Sequence, residues 1–333
     1  MRKKVLITGC CGFIGGHLLR DLVSKGWDVE GIDDGSNGDL ESIFDVGIRP
    51  VPVELLHIYD AYESDEISPR TLVINGDFTH AAVLKRIKSG IYDVVFHLAA
   101  NPYVQQSVES PVETHETNVF KTLGLFDACK GNVDRVIFAS SAAIYGDAMV
   151  PVKELDTLTA EGPKSPYGLQ KLHCEEYAAM FNDLYNTDIV SLRLFNVFGP
   201  GQQGNSAYSN VIAAWCNNIH EGKSLRSDGN GNQTRDFCYI DNVVDAFRLV
   251  ANWDAPRRSS IYNVGCGVSV SNNNILDYLK KNYPEITVLN APAREGDMRH
   301  SQADITRINY ELNYNPRVHF YNGLEQTLKW WGL

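Results

Sequence analysis

Positive charge is in short supply in this chain. Its 333 residues carry 30 Lys and Arg against 41 Asp and Glu, a formal net charge of −11. Nucleic acids and anionic membranes are held through net positive surface, so neither is expected as the main partner. No apolar run comes near the roughly 18 residues of a transmembrane helix. The run after Met1-Arg2-Lys3-Lys4 stops at Thr8-Gly9 after Val5-Leu6-Ile7, too short for a secretory signal, so a cytoplasmic location is expected. Cysteine is sparse too: there are seven, an odd number, with none at zinc-finger spacing. No disulfide framework and no metal are expected, and adjacent Cys10-Cys11 reads as packed thiols in a reducing compartment. Internal repeats and low-complexity tracts are missing as well. What is present is a 44% hydrophobic fraction, enough core for a large α/β domain with or without a second lobe.

The N-terminal third reads as strand, glycine turn and helix. Lys4 to Thr8 is a short apolar strand, followed by Gly9-Cys10-Cys11-Gly12-Phe13-Ile14-Gly15 and a helix to about Lys25. In that context the glycines allow a tight turn and close backbone approach, and the helix start offers free N–H groups to a dinucleotide pyrophosphate. A second strand, Val29 to Ile32, ends in Asp33-Asp34. A carboxylate at Asp33 can accept both ribose hydroxyls and would repel a 2′-phosphate, which favours NAD over NADP. Residues 35 to 70 read as an acidic, solvated insertion with a helical piece around Val53 to Tyr62.

The alternation of strand and helix then resumes. Leu72 to Asn75 is a strand leading to Gly76-Asp77-Phe78, with Asp77 and Phe78 placed to flank an adenine. Val94 to His97 runs into Leu98-Ala99-Ala100, where small side chains let backbone lie against the cofactor. A helix from about Pro111 to Lys130 carries Asn118, and a strand through Ala139 delivers Ser140 and Ser141. Asn118 and Phe195 complete the expected cofactor contacts. This rhythm argues a Rossmann-type, doubly wound parallel sheet with ligands at the carboxyl ends of its strands. The nucleotide-binding domain is expected over 1–195. Past residue 195 the alternation breaks down, and 196–333 reads mainly as a smaller α/β substrate lobe, some segments of which return to the first domain.

Between Val136 and Lys171 the chain gathers proton-handling groups. Ser141 ends a strand, and Tyr167 and Lys171 stand four residues apart, on one face of a helix. A phenol has a solution pKa near about 10 and makes a base at neutral pH only if its anion is stabilised.

Taken together, Thr8-Gly9-x-x-Gly12-x-x-Gly15, the set of Ser141, Tyr167 and Lys171, and the C-terminal lobe resemble the extended short-chain dehydrogenase/reductase family, specifically its nucleotide-sugar epimerases and dehydratases. The resemblance runs over essentially the whole chain. It implies that Tyr167, helped by Lys171 and NAD+, removes a sugar hydroxyl proton while hydride leaves the same carbon, and that Ser141 holds the reacting oxygen. Tyr167 and Lys171 would also touch the cofactor. The dehydratases of the family carry an Asp-Glu pair after the active-site hydroxyl residue and its decarboxylases a Glu; here those positions are Ala142 and Ala143. That difference implies 4-epimerisation of a UDP-hexose.

Asn196, Arg235 and Arg294 match the family's substrate contacts, the arginines gripping the diphosphate, and Asp297 would take the nucleotide ribose. Ser301 falls where epimerases restricted to UDP-glucose and UDP-galactose carry a tyrosine, which implies room for an N-acetyl group and activity on UDP-GlcNAc and UDP-GalNAc. A homodimer formed through the helices Pro111 to Lys130 and Pro166 to Tyr185 is also implied. Other readings stay open: a 4,6-dehydratase, a UDP-glucuronate decarboxylase or 4-epimerase, and a non-catalytic NAD-binding regulator.

Overall fold

A computed structural model describes residues 3–57, 71–158, 162–205, 210–252, 260–293 and 298–333. From the N-terminus run β1 (Lys4–Thr8), α1 (Phe13–Ser24), β2 (Asp28–Asp33), the short β3 (Val51–Pro52), β4 (Thr71–Asn75), α2 (Ala81–Lys88) and β5 (Val94–His97). Then come α3 (Val104–Glu109), α4 (Pro111–His115), α5 (Lys121–Cys129), β6 (Arg135–Ser141), α6 (Pro166–Tyr185) and β7 (Ile189–Leu194). The second half begins with β8 (Asn196–Phe198), α7 (Val211–His220), β9 (Leu225–Asp228), β10 (Thr234–Tyr239), α8 (Ile240–Asn252) and β11 (Ile261–Val264). It ends with β12 (Ser269–Ser271), α9 (Asn272–Asn282), β13 (Val288–Ala291), α10 (Thr306–Leu312) and α11 (Phe320–Trp330).

Among the described residues the main sheet has eight strands in the order β11-β7-β6-β5-β1-β2-β4-β3, all paired in parallel. Its strands are apolar almost throughout because both faces are covered. Along β1, Val5 and Ile7 enter one core and Leu6 the other, the period of two expected of a strand. The first core is closed by Leu18, Leu19 and Leu22 of α1 and Val243, Phe247 and Val250 of α8. The second is closed by Val83 and Ile87 of α2, Leu125 and Phe126 of α5, and Ala178 and Phe181 of α6. Each of these side chains except that of Ala178 contributes about 1.5–3 kcal/mol by leaving water.

Two features differ from the sequence expectations. The helix expected over Pro111 to Lys130 is interrupted by a π-helical turn at Glu116–Phe120, between α4 and α5. Asn118 sits in that turn with its side-chain amide bonded across to residue 101, and an inserted residue of this kind is a common device for re-aiming one side chain. The acidic insertion is only partly a solvated loop. A 3-10 helix at Leu40–Val46, started by the Asp39 carboxylate accepting from Glu41 N and stopped at Gly47 with φ +76°, sits beside the glycine turn. Gly38 packs so closely there that a Cβ would lie 2.8 Å from Cys11 C. The piece expected at Val53 to Tyr62 is helical as far as it is described, a 3-10 turn at Val53–Leu55 passing into helix at residues 56 and 57, and the part beyond residue 57 lies outside the described residues.

The C-terminal half is shared between the layers. Strand β11 joins the edge of the main sheet beside β7, and α8 packs on α1. The remaining pieces form a three-stranded sheet, β12-β10-β8, and a β13-β9 pair at the carboxyl ends of the main strands.

Candidate active site

Strand order reverses at β1, whose neighbours β2 and β5 lead the chain away in opposite directions. A crevice opens at such a switch point, outside the carboxyl ends of the strands. Here it is a cleft of about 1970 Å³. Cavities for one small ligand run to about 300–1,000 Å³, so this one has room for a dinucleotide and a second nucleotide together.

The glycine turn shapes one end. Gly9 has φ +71°, and a Cβ on it would lie 2.8 Å from Ala99 N; a Cβ on Gly15 would lie 2.0 Å from Gly9 O. These contacts bring the turn, β5 and the start of α1 together, with Gly12 as the N-cap residue and the N–H groups of the first helical turn directed outward. Asp33, at the end of β2, accepts from Cys11 N and Gly35 N, each at 2.9 Å, and still lines the cleft. Burial raises its pKa, against the pull of those backbone bonds. Below the turn, Thr8 Oγ1 and His97 Nδ1 lie 2.8 Å apart and His97 Nε2 is 2.9 Å from Thr122 Oγ1. Burial, then the charge of Lys171, lowers the His97 pKa to about 3, so this imidazole is neutral. The backbone N–H groups of Leu98 and Ala99 donate to Thr8 Oγ1 at 3.2 Å. A pyrophosphate and an adenosine ribose fit what these residues present.

The other end holds the proton-handling groups. Helix α6 starts at Ser165, whose hydroxyl accepts from Gly168 N, with Pro166 in the first turn, a start signal that fixes where Tyr167 stands. Tyr167 N donates to Ser107 Oγ at 3.0 Å, and the phenol is hydrogen-bonded with Ser141 from the end of β6. Lys171, one turn on and 3% exposed, donates to Ala139 O at 2.8 Å. Its ammonium lies 4.7 Å from the Phe138 ring centre and 5.9 Å from that of Tyr167. Burial pushes the Tyr167 phenol up to about 12, with the Ser141 bond pulling the other way, and pushes Lys171 down to about 8. One further turn along α6, buried Glu175 accepts from Ser140 and forms an ion pair of 2.6 Å with Arg193 of β7.

Residues 5–265 match the sequence model of the NAD dependent epimerase/dehydratase family. The chain belongs to this family. Its cofactor is NAD. Among its relatives, the UDP-glucose 4-epimerase of Mycolicibacterium smegmatis is 30% identical over 334 residues, covering 98% of this chain and 97% of that protein. Of solved structures, a UDP-N-acetylglucosamine 4-epimerase from Methanobrevibacter ruminantium, in complex with UDP-N-acetylmuramic acid, is similar with TM-score 0.84 and 34% identity, over 99% of this chain and 98% of that one. A UDP-glucuronic acid 4-epimerase from Bacillus cereus, in complex with UDP-glucuronic acid and NAD, has TM-score 0.81 and 29% identity over 99% of each chain.

In this epimerase/dehydratase family member most of the residues singled out by sequence meet at the cleft. Gly9, Gly12, Phe13, Ile14, Gly15, Asp33, Phe78, Leu98, Ala99, Ala100 and Phe195 line it beside Ser141, Tyr167 and Lys171, as do Asn196 and Arg235 on the substrate side. Three are not among the residues that line it. Asp77 is paired with Lys121 at 2.6 Å and bonded to Thr79. Asn118, 1% exposed, spends its amide on Asn101 N, Asn101 O and Gln170 Oε1, so it holds the loop after β5. Ser301 is buried beside β10, with its N–H on Thr234 O at 3.0 Å. Arg294 and Asp297 lie outside the described residues.

Sequence reasoning passed over Asp236, whose carboxylate accepts from Cys266 N, Gly267 N and Ala303 N and so ties three segments of the substrate side together. It also passed over the Glu175–Arg193 pair. Glu175 could have been found, because it follows Lys171 by four residues and therefore shares its helix face.

Proposed function

We propose that this family member interconverts UDP-sugars that differ in configuration at C4, with UDP-GlcNAc and UDP-GalNAc as its substrates and NAD held throughout. The observation that carries the reading is the meeting of Ser141, Tyr167 and Lys171 next to Ala142 and Ala143. Among the described residues from Ala139 to Tyr167, those lining the cleft are Ala139, Ser140, Ser141, Ala143, Lys164, Ser165 and Tyr167, none of them acidic. Elimination of water or loss of carbon dioxide needs an additional acid or base at the sugar, and the described residues of this wall offer none. Oxidation followed by reduction on the other face needs only what is there.

When bound, NAD supplies a hydride acceptor and, once reduced, a hydride donor. Gly9, Gly12 and Gly15 would hold its pyrophosphate and Asp33 its adenosine ribose. Tyr167 takes the proton of the C4 hydroxyl and later returns it. Ser141 donates to the reacting oxygen and shortens the proton's path. Lys171 acts through its charge, which favours the phenolate over the phenol. Without a second positive charge above it, a phenol at about 12 stays protonated, so the base form belongs to the cofactor-loaded enzyme. Arg235, whose Nη1 is bonded to Thr234 O at 2.9 Å, and Asn196 both line the cleft, and we propose the first for the diphosphate and the second for the sugar. Arg294 and Asp297 are proposed for the diphosphate and the uridine ribose. Ser301, small and next to the Arg235 strand, is proposed to leave space for a C2 acetamido group. That a relative 34% identical is a UDP-N-acetylglucosamine 4-epimerase supports this part of the reading.

Incubation of the purified protein with UDP-GlcNAc, UDP-glucose and UDP-glucuronate, with products read by proton NMR, tests it. The C4 epimer of the acetylated sugar is the result in favour. A 4-keto-6-deoxy or decarboxylated product, or turnover of UDP-glucose alone, would overturn it. Substitution Ser301→Tyr should abolish turnover of the acetylated pair.

A homodimer is proposed on separate grounds. Val112 (83% exposed) and Phe120 (64%) on the α4–α5 stretch, with Met180 (51%) and Leu184 (66%) on α6, leave apolar side chains in water on two neighbouring helices. Sedimentation velocity should give twice the chain mass, and a monomer for Leu184→Glu with Phe120→Glu. A monomeric parent protein would refute it. No helix among the described residues is long and apolar enough to cross a membrane.

A further inference from the structure

Neighbouring residues on an extended chain point their side chains to opposite sides. The glycine turn breaks that rule, and Cys10 and Cys11 carry their sulfurs on the same side, 3.8 Å apart. Two thiolates bound to one tetrahedral cation at about 2.3 Å stand about 3.8 Å from each other, so the pair already has the separation that a thiophilic metal imposes. A carboxylate oxygen of Asp33 completes a group of three donors that all lie within 4.8 Å of one another. The donors differ in access. Cys10 is fully buried against Gly31, whereas Cys11 and Asp33 line the cleft, which leaves a path for the cation and room for a water as fourth ligand.

We propose that Cys10, Cys11 and Asp33 form a binding site for a thiophilic divalent cation such as Zn2+ or Cd2+, and that its occupancy excludes NAD. The exclusion rests on the reading that Asp33 holds the adenosine ribose; the metal site does not. One carboxylate cannot serve both ligands, and a cation seated at the turn stands where the pyrophosphate approaches. Each cation bound forms two metal–sulfur bonds and releases the two thiol protons to solvent. The soft sulfur pair selects Zn2+ or Cd2+ over Mg2+ and Ca2+, which take oxygen ligands. The consequence is an enzyme whose cofactor-free form is captured by thiophilic metal and whose loaded form is protected from it.

The test is a titration of the full-length, NAD-free chain with cadmium chloride, reading thiolate-to-cadmium charge-transfer absorption and proton release in weak buffer. One Cd2+ per chain with two protons released is expected. The absorption should be lost in Cys11→Ser and Cys10→Ala and kept in Cys266→Ser, which alters the half-buried cysteine elsewhere. Thermal melting identifies a folded Cys11→Ser chain, the less buried of the two sites, so the outcome does not depend on Cys10→Ala folding. Full absorption in Cys11→Ser, its loss in Cys266→Ser, or no absorption in the parent chain would each overturn the site. Addition of NAD+ should discharge the cadmium. Cadmium that stays while NAD binds would overturn the exclusion and the ribose role of Asp33, with the metal site intact.

Discussion

The buried ammonium of Lys171 should cost the fold stability that catalysis requires. Its pKa is pushed from 10.5 down to about 8 by burial, so at pH 7 the protonated side chain is held at an energetic penalty. About 2.5 pKa units correspond to about 3 kcal/mol. Substitution Lys171→Met keeps the length of the side chain and removes the charge. It also orphans the Ala139 carbonyl, at a cost of about 1 kcal/mol, which leaves the variant ahead by about 2 kcal/mol. With an unfolding entropy of about 2.1 cal/mol/K per residue, a chain of this size should melt about 3 °C higher at pH 7. The sign of the pH dependence is fixed by the same shift. The folded pKa lies below the unfolded one, so between about pH 8 and 10.5 the unfolded chain holds the extra proton and the parent protein gains stability as pH rises. The advantage of Lys171→Met should therefore shrink from pH 7 to pH 9.5. Scanning calorimetry of the NAD-free proteins at a fixed rate measures both. A variant that melts lower at pH 7, or an advantage that does not change with pH, refutes the argument from desolvation.

Other outcomes follow from the same geometry. Tyr167→Phe should lower kcat by about 10²–10⁴-fold with an unchanged melting temperature, since the phenol oxygen carries the proton and the ring the packing. Gly15→Ala places a methyl 2.0 Å from Gly9 O, so NAD affinity measured by fluorescence titration should fall together with thermal stability. Glu175→Ala strands the Arg193 charge in the interior, and chemical denaturation should show a loss of about 3–5 kcal/mol.

Much of the cofactor half was readable from local pattern. The strand at Lys4–Thr8, the turn through Gly15 and the strand at Val94–His97 are each specified by a short run of neighbours, apolar alternation or glycine spacing, and they form where expected. What escaped depends on partners distant in sequence. The π-helical turn at Asn118 exists because its amide bonds to Asn101, and nothing in the run from Pro111 to Lys130 announces that. The role of Asp236 rests on N–H groups at positions 266, 267 and 303, brought together only by the fold. The position of Ser301 was legible as a place in a motif, whereas its burial behind the Arg235 strand was not.

The place of β11 at the edge of the main sheet sets a timetable for synthesis. Strand β7 ends at Leu194 and β11 starts at Ile261, so 66 residues separate neighbouring strands of one sheet. At about 5–20 residues per second, the ribosome leaves that edge open for about 3–13 s. Over much of that interval α8 is also missing, and the leucines of α1 that it will cover face water or whatever else binds apolar surface. Co-translational exposure of the nucleotide-binding half is thus built into the order of the strands, and chaperone capture of nascent chains should peak at lengths between these two strands.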